Sequence, residues 1–212
     1  MDACLDRWPS EKARNWVEAF VSAARQDKST VAVVLLGSMV RPVSQVEDAD
    51  VIQVFRGKKI VLPGRPLDVD LWSYSAPDVP ELIAGGNDIL GGAIKFGHLL
   101  CERNRYWTSL REAWLTRLPF PSAKVALERA RRAGELREEL RRMGDADAAD
   151  EERLTELTHL ARARLLSREV YPASRPELPD QLRSIGERGL ARLLSGALKK
   201  RLGQGRTVLS HP

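Results

Sequence analysis

The first part of the chain carries one helix-like pattern of apolar residues, followed by several strand-like patterns. Between residues 11 and 27, apolar side chains recur every three or four positions, which predicts an amphipathic helix with Ser10 as its N-cap. Residues 30–36 are apolar on both pleat faces, which indicates a central strand that is buried on both sides. Residues 49–55 and 66–73 predict two more strands, and a short strand is predicted over residues 58–62.

Helical patterns dominate the remainder of the chain. Residues 76–84, 88–95 and 106–117 predict helices, and Pro119 and Pro121 then mark a domain boundary. Beyond the boundary, two segments each carry a narrow seam of apolar residues at helical spacing, and a turn at residues 144–147 joins them, which predicts a helical hairpin. A proline-rich linker then leads to a last predicted helix over residues 182–202. We therefore predict an α+β domain over residues 1–120, with a mixed β-sheet flanked by helices, followed by an all-helical C-terminal domain over residues 121–212.

The net charge of the 212 residues is +5, and the C-terminal domain carries all of it. Residues 1–120 hold equal numbers of basic and acidic side chains, whereas the segment after Gln181 holds a basic excess opposed only by Glu187. A solvated helix face is the simpler interpretation of this excess, and a contact with RNA through the basic C-terminal helix stays open. The cations are Arg183, Arg188, Arg192, Lys199, Lys200, Arg201 and Arg206.

Several classes of protein are disfavoured by the sequence. Cys4 and Cys101 are far apart and outside any Cys-x-x-Cys motif, so neither a disulfide framework nor a zinc site is expected. The N-terminus lacks the features of a secretory signal, and no apolar run is long enough to span a bilayer. We therefore expect a soluble, cytoplasmic protein without a membrane partner. A P-loop is also absent.

The most informative chemistry lies in a cluster of aspartates between residues 48 and 70. Asp48 and Asp50 are two positions apart on a predicted strand, so both carboxylates project from one face, roughly 6–7 Å apart along the backbone. A third carboxylate on the next strand, from Asp68 or Asp70, can complete the cluster. Three close carboxylates repel one another, and Mg²⁺ relieves that repulsion. Two such ions about 3.5–4 Å apart are the recurring device for in-line phosphoryl displacement.

A glycine and a serine follow the central strand and suit phosphate binding. Gly37 allows phosphates to approach the backbone closely, and the Ser38 hydroxyl and the amides of the next turn can bind phosphate oxygens. Arg41, one turn further on, can neutralise charge on a leaving pyrophosphate.

Gly37-Ser38, Arg41, the pair formed by Asp48 and Asp50, and a later strand carboxylate together resemble the signature of the polymerase-β-type nucleotidyltransferase superfamily. The branch that the sequence is most similar to contains minimal and aminoglycoside nucleotidyltransferases. The resemblance covers about residues 12–118. It implies a nucleotidyltransferase fold and an Mg²⁺-dependent enzyme. Such an enzyme transfers a nucleoside monophosphate from a nucleoside triphosphate, such as ATP, to an acceptor hydroxyl and releases pyrophosphate.

The same resemblance implies a role for each of these residues. Gly37, Ser38 and Arg41 would bind the triphosphate of the nucleotide, whereas Asp48 and Asp50 would bind both metal ions. A third carboxylate would bind one metal ion and help to deprotonate the acceptor hydroxyl.

The third carboxylate is assigned to Asp68 by the resemblance, because the family places this aspartate about five residues before a serine, and Ser73 lies there. Asp70 faces the same way and remains the alternate.

Two positions depart from the family pattern: Pro42 stands where a glycine is frequent, and Glu47 precedes the aspartate pair where a serine is usual. Neither departure removes a metal ligand.

The acceptor stays open at the level of sequence. The resemblance suggests a small polyhydroxylated molecule such as an aminoglycoside, a protein hydroxyl as in toxin–antitoxin pairs, or an RNA 3′ end, and His98 is a candidate for the border of the acceptor pocket. Two alternatives to an enzyme remain. One is a non-catalytic module of the same fold that binds a nucleotide or a protein, and the other is an RNA-binding protein that uses the basic C-terminal helix.

Overall fold

The computed structural model describes residues 7–41, 46 and 48–208, with side chains up to residue 201. Cys4, Pro42 and Glu47, on which the sequence raised expectations, lie outside the described residues. Internal contacts divide the chain into two units, Met1–Pro121 and Ser122–Pro212.

The described part of the first unit is built on a four-stranded mixed sheet. In spatial order the strands are β3 (Val69–Ser75), β2 (Ala49–Phe55), β1 (Thr30–Leu36) and β4 (His98–Glu102). Strand β1 runs antiparallel to both of its neighbours, whereas β2 and β3 are parallel. Every residue of β1 is buried, as its uninterrupted apolar sequence predicts for a central strand.

Helices cover both faces of this sheet. Helix α1 (Glu11–Gln26) begins after Ser10, whose side chain accepts a hydrogen bond from the Ala13 amide at 3.0 Å, as predicted. The apolar stripe of α1 packs with Val33 and Leu35 of β1 on one face.

The opposite face of the sheet packs against three further helices: α2 (Val79–Ala84), α3 (Asp88–Phe96) and α4 (Tyr106–Trp114). A mixed sheet flanked by helices, with a helical region after it, confirms the predicted α+β class.

The sheet differs from the sequence-based prediction at two places. Residues 58–62 form no strand; Ile60 and Leu62 instead pack from a loop onto the α1 side of the core, and the Trp16 indole donates a hydrogen bond to the Pro63 carbonyl at 3.2 Å. Strand β4 was not predicted, because a shift in its register opposite Val33 and Val34 interrupts the alternation that identifies strands.

The second unit is helical throughout its described elements. Helices α5 (Ala123–Arg142) and α6 (Ala146–Leu166) form the predicted hairpin, although Leu136 and Met143 of the predicted seam are 43% and 73% exposed. The predicted last helix is two helices, α7 (Leu178–Ser184) and α8 (Arg188–Val208), because Gly186 takes a left-handed φ of 86° between them. No helix in the described part of the chain is long and apolar enough to cross a bilayer.

Candidate active site at one end of the sheet

Four aspartates lie at the end of the sheet where β2 and β3 begin. Asp50 of β2 and Asp70 of β3 are register partners in the parallel pair, and such partners lie about 4.8 Å apart. Asp48 and Asp68 each precede them by two positions, and the Ala49 amide donates a hydrogen bond to the Asp68 carbonyl at 2.9 Å. Because register partners in a β-pair point to the same side, the carboxylates of Asp50 and Asp70 share one face of the sheet, whereas Asp48 and Asp68 lie just before the two strands.

That face is the one covered by helices α2, α3 and α4 further along the sheet. Ile52, two positions after Asp50, is fully buried in the core beneath these helices. Its register partner, Trp72, is 40% exposed because β3 is an edge strand. The carboxylates therefore lie beyond the helix-covered region, where Asp70 is exposed and Asp48 is half-buried.

The carboxylate of Asp50 packs directly against Gly37, the first residue after β1. Gly37 has a left-handed φ of 72°, and a Cβ built at this position would lie 2.1 Å from Asp50 Oδ2. Glycine is favoured here on both counts, since any other residue would be strained and would require the Asp50 side chain to move. The sequence linked these two residues only through the family resemblance, whereas their packing places the glycine-serine turn and the aspartates in one site.

The hydroxyl of Ser38 is buried at the start of the same turn. Residues Gly37–Val40 form a 3₁₀ turn in which the Arg41 amide donates a hydrogen bond to the Ser38 carbonyl. The Ser38 Oγ atom is buried and has no hydrogen-bond partner among the described residues. A buried hydroxyl without a partner costs about 1–3 kcal/mol, which a bound ligand with acceptor oxygens would recover.

Arg41 follows the turn and contacts the end of helix α3. Its guanidinium carbon is 4.4 Å from the centre of the Phe96 ring, which ends helix α3. At that distance the cation is attracted to the face of the ring. A positive group therefore stands at the end of α3, which leads through Gly97 into β4, whereas Asp50 and Asp70 belong to β2 and β3.

Two tyrosines near the covered part of this face remain protonated at neutral pH. Burial raises the pKa of Tyr74, and the negative charge of Asp88 raises it further. Burial also raises the pKa of Tyr106, whose hydroxyl donates a hydrogen bond to the Ala76 carbonyl at 2.8 Å. These hydroxyls are therefore poor proton acceptors at neutral pH.

The residue types at the site fit magnesium, although their side chains do not converge on a common point. The four carboxylates and the Ser38 hydroxyl are all oxygen donors, which hard divalent cations prefer. Within residues 7–41, 46 and 48–201, however, the structure contains no group of three His, Cys, Asp or Glu side chains arranged to hold an ion. Binding of one metal ion by three of these carboxylates would therefore require rotation of at least one of their side chains.

His98, the candidate for the acceptor pocket, lies on the opposite face of the sheet. It is the register partner of Leu35, which packs into the core beneath α1. Register partners in a β-pair point to the same side, so the sheet separates the His98 side chain from the carboxylates of Asp50 and Asp70. The sequence could not show this, because the face of a strand residue depends on the register of its strand.

The basic C-terminal helix carries less unpaired charge than its sequence indicates. Lys200 forms an ion pair with Asp150, and Arg201 lies 3.3 Å from Glu151. Both acidic partners belong to α6, whereas the sequence count considered only the segment after Gln181. This pairing reduces the basic surface on which an RNA contact would depend.

Comparisons with known proteins find a loose similarity of chain path. The chain is similar to a solved structure described as a nucleotidyltransferase-like protein from Exiguobacterium sibiricum 255-15. The sequences are 16% identical, the TM-score is 0.36, and the match covers 90% of this chain and 74% of that chain. No family model matches the chain, and no curated protein matches it. A similarity of this size identifies no activity, so the functional argument rests on the side chains of the site.

Proposed function

We propose that this chain is a nucleotidyltransferase, which moves a nucleoside monophosphate from a nucleoside triphosphate to an acceptor hydroxyl with the help of Mg²⁺. The observation that carries the proposal is the packing of the Asp50 carboxylate against Gly37, where a Cβ would lie 2.1 Å from Oδ2. This contact brings a turn suited to phosphates next to carboxylates suited to metal ions, and phosphoryl transfer needs both.

The nucleotide would bind through its phosphates at the 3₁₀ turn. The buried Ser38 hydroxyl lacks a partner among the described residues, so it is available to donate to a phosphate oxygen. Arg41 would neutralise the phosphates beside the end of α3. Asp48 and Asp50, together with a carboxylate from β3, would hold two Mg²⁺ ions, which supply charge neutralisation and activation of the attacking hydroxyl when bound.

Asp70 is better placed than Asp68 to be the third carboxylate. It lies within β3, directly across from Asp50, whereas Asp68 lies in the turn before the strand. The family resemblance favours Asp68 because of the distance to Ser73, but that serine points to the other face, where its hydroxyl donates a hydrogen bond to Gln53 at 3.3 Å. We therefore propose Asp70 as the proton acceptor and Asp68 as its neighbour in the acidic cluster.

In the proposed reaction, the acceptor oxygen attacks the α-phosphorus of the nucleotide. The bond between the α-phosphorus and the oxygen that bridges to the β-phosphate breaks, and pyrophosphate leaves with that electron pair. The acceptor proton passes to the β3 carboxylate. The residues of the chain contribute by holding the reactants in line and by balancing charge, which are the main sources of rate enhancement in phosphoryl transfer.

The test is transfer of label from α-labelled nucleoside triphosphates, with Mg²⁺ or Mn²⁺, into aminoglycosides, total RNA or cell protein. We expect the wild-type chain to label one of these pools, and Asp50→Asn to reduce labelling at least about 100-fold. Asp78→Asn is the matched control, since Asp78 is an exposed carboxylate of the same unit outside the site. Absence of labelling in all three pools, or equal labelling by Asp50→Asn and wild type, would overturn the proposal.

A further inference from the structure

The end of helix α3 forms a patch with two positive charges beside the phosphate-binding turn. Phe96 is the last residue of α3, and its ring is contacted by Arg41 at 4.4 Å and by the Lys95 ammonium at 5.8 Å, both measured to the ring centre. Both distances lie within the range in which a cation is attracted to an aromatic ring. Arg41 belongs to the turn after β1, whereas Lys95 comes from a different element.

The position of this patch is fixed by close packing of α3 onto β1. Gly97 ends the helix, and a Cβ built there would lie 2.4 Å from the Ala93 carbonyl oxygen and 2.8 Å from Val34 Cγ1. The helix end and the strand approach each other too closely for a side chain at this position. Phe96 is therefore held at a defined place next to the end of β1, where Gly37 begins the turn.

Together with the aspartates, the patch gives this end of the sheet a negatively charged part and a positively charged part. Asp70 and Asp50 lie on β3 and β2, the turn that begins at Gly37 follows β1, and the two cations contact Phe96 at the end of α3, which leads through Gly97 into β4. A nucleoside triphosphate bound along this line would have its reacting α-phosphate beside the carboxylates and its outer phosphates beside the cations. The opposite orientation would put the outer phosphates against the aspartates, where like charges repel.

The geometry points to a subsite for the leaving pyrophosphate formed by Lys95 together with Arg41, with Phe96 as the residue that positions Arg41; this inference rests on the proposed function. Lys95 donates to the outer phosphate oxygens as a flexible point charge, and Arg41 donates from a guanidinium whose plane is held by the ring. The negative end of the α3 dipole would weaken phosphate binding at this place, and the two cations offset it.

Binding of magnesium pyrophosphate, measured by calorimetry on the full chain, tests the subsite without any requirement for turnover. We expect Lys95→Met to weaken pyrophosphate binding about tenfold and to weaken nucleoside triphosphate binding to the same extent. Binding of the nucleoside monophosphate should be unchanged, because it lacks the outer phosphates. Lys12→Met is the matched control, since Lys12 is an exposed lysine of α1 on the opposite face of the sheet.

The role of Phe96 is tested by a double-mutant cycle with Arg41. Phe96→Leu keeps an apolar side chain but removes the aromatic ring, and we expect it to weaken pyrophosphate binding about threefold. In an Arg41→Ala background the same substitution should have no further effect, whereas a purely structural role would give equal losses in both backgrounds.

The possible outcomes separate this inference from the proposed function. If the wild-type chain binds nucleoside triphosphate and pyrophosphate, but Lys95→Met binds them as tightly as Lys12→Met does, the subsite is wrong and the proposed function stands. If the wild-type chain binds neither ligand in the presence of Mg²⁺, both are overturned. A tenfold loss confined to ligands that carry outer phosphates supports the subsite.

Discussion

Substitution of Gly37 by alanine tests the contact on which the site is built. At a φ of 72°, an alanine is strained by roughly 1–2 kcal/mol relative to glycine. In addition, the Asp50 side chain has to move, because the new Cβ would lie 2.1 Å from its Oδ2 and 3.2 Å from its Cγ. An aspartate held away from its preferred rotamer costs about 0.5–1.5 kcal/mol more. The expected total loss of stability is therefore about 1.5–3.5 kcal/mol.

Gly57→Ala is the matched control for the backbone part of this cost. Gly57 has a φ of 79°, and a Cβ built there meets no atom within 4 Å. Its substitution should therefore cost only about 1–2 kcal/mol, the strain of the left-handed conformation. The difference between the two variants isolates the collision with Asp50.

Tryptophan fluorescence during urea unfolding is the suitable assay, because all five tryptophans of the chain belong to the first unit. We expect Gly37→Ala to be the less stable of the two variants and to lose Mg²⁺-dependent binding of nucleoside triphosphate, whereas Gly57→Ala retains it. In an Asp50→Ala background, the cost of Gly37→Ala should fall to that of Gly57→Ala. Equal costs of Gly37→Ala in both backgrounds, with nucleotide affinity unchanged, would refute the reasoning.

Three further predictions concern stability. Leu165→Ala removes a fully buried side chain from the core of the second unit, so it should lower the free energy of unfolding by about 2–5 kcal/mol, as measured by circular dichroism during urea unfolding. Met143 is 73% exposed, so Met143→Ala should change this free energy by less than about 0.5 kcal/mol. A hydrogen bond from the Ser29 hydroxyl is the main cause that lowers the pKa of Asp27 in the folded chain. The ionised Asp27 side chain therefore stabilises the fold at pH values above its unfolded pKa of 3.8. This stabilisation is lost as the pH falls through the lower folded pKa. As the pH falls below about 4, the free energy of unfolding should therefore decrease less steeply in Asp27→Asn than in the wild type, as measured by fluorescence during urea unfolding. Gln53 is fully buried and bridges the hydroxyls of Thr30 and Ser73 on the two neighbouring strands. Gln53→Leu should cost about 1–3 kcal/mol in urea unfolding, because it removes both hydrogen bonds and leaves the Ser73 hydroxyl without this partner, whereas Thr30 keeps its bond to Asp27.

The elements that the sequence predicted best are those whose signals are local. Helix α1 has a regular apolar stripe and a capping serine, and β1 has an uninterrupted apolar run, so both were predicted nearly to the residue. Strand β4 was not predicted, because its register with β1 is irregular and its sequence therefore lacks the regular alternation of apolar and polar residues that identifies a strand. The last helix was predicted as one element because Gly186, which separates α7 from α8, is not by itself a reliable end signal.

The composition of the candidate site was predictable from the sequence, but its geometry was not. The aspartates and the glycine-serine pair form a recognisable pattern along the chain, whereas the pairing of Asp50 with Asp70 depends on the register of two parallel strands joined by a long loop. The patch at Phe96 depends on the packing of α3 against β1, which involves residues far apart in sequence. Local patterns carry no information about such contacts, and only the folded chain displays them.

The most direct test of the central claim is a crystal structure of the chain with Mn²⁺ in place of Mg²⁺ and a non-hydrolysable nucleoside triphosphate. The anomalous signal of manganese locates the metal ions independently of the protein atoms. Our account predicts manganese bound between the carboxylates of Asp48, Asp50 and Asp70, with the phosphates over the turn that begins at Gly37. Manganese and nucleotide bound elsewhere, or a sheet end that remains empty at saturating concentrations of both, would contradict it.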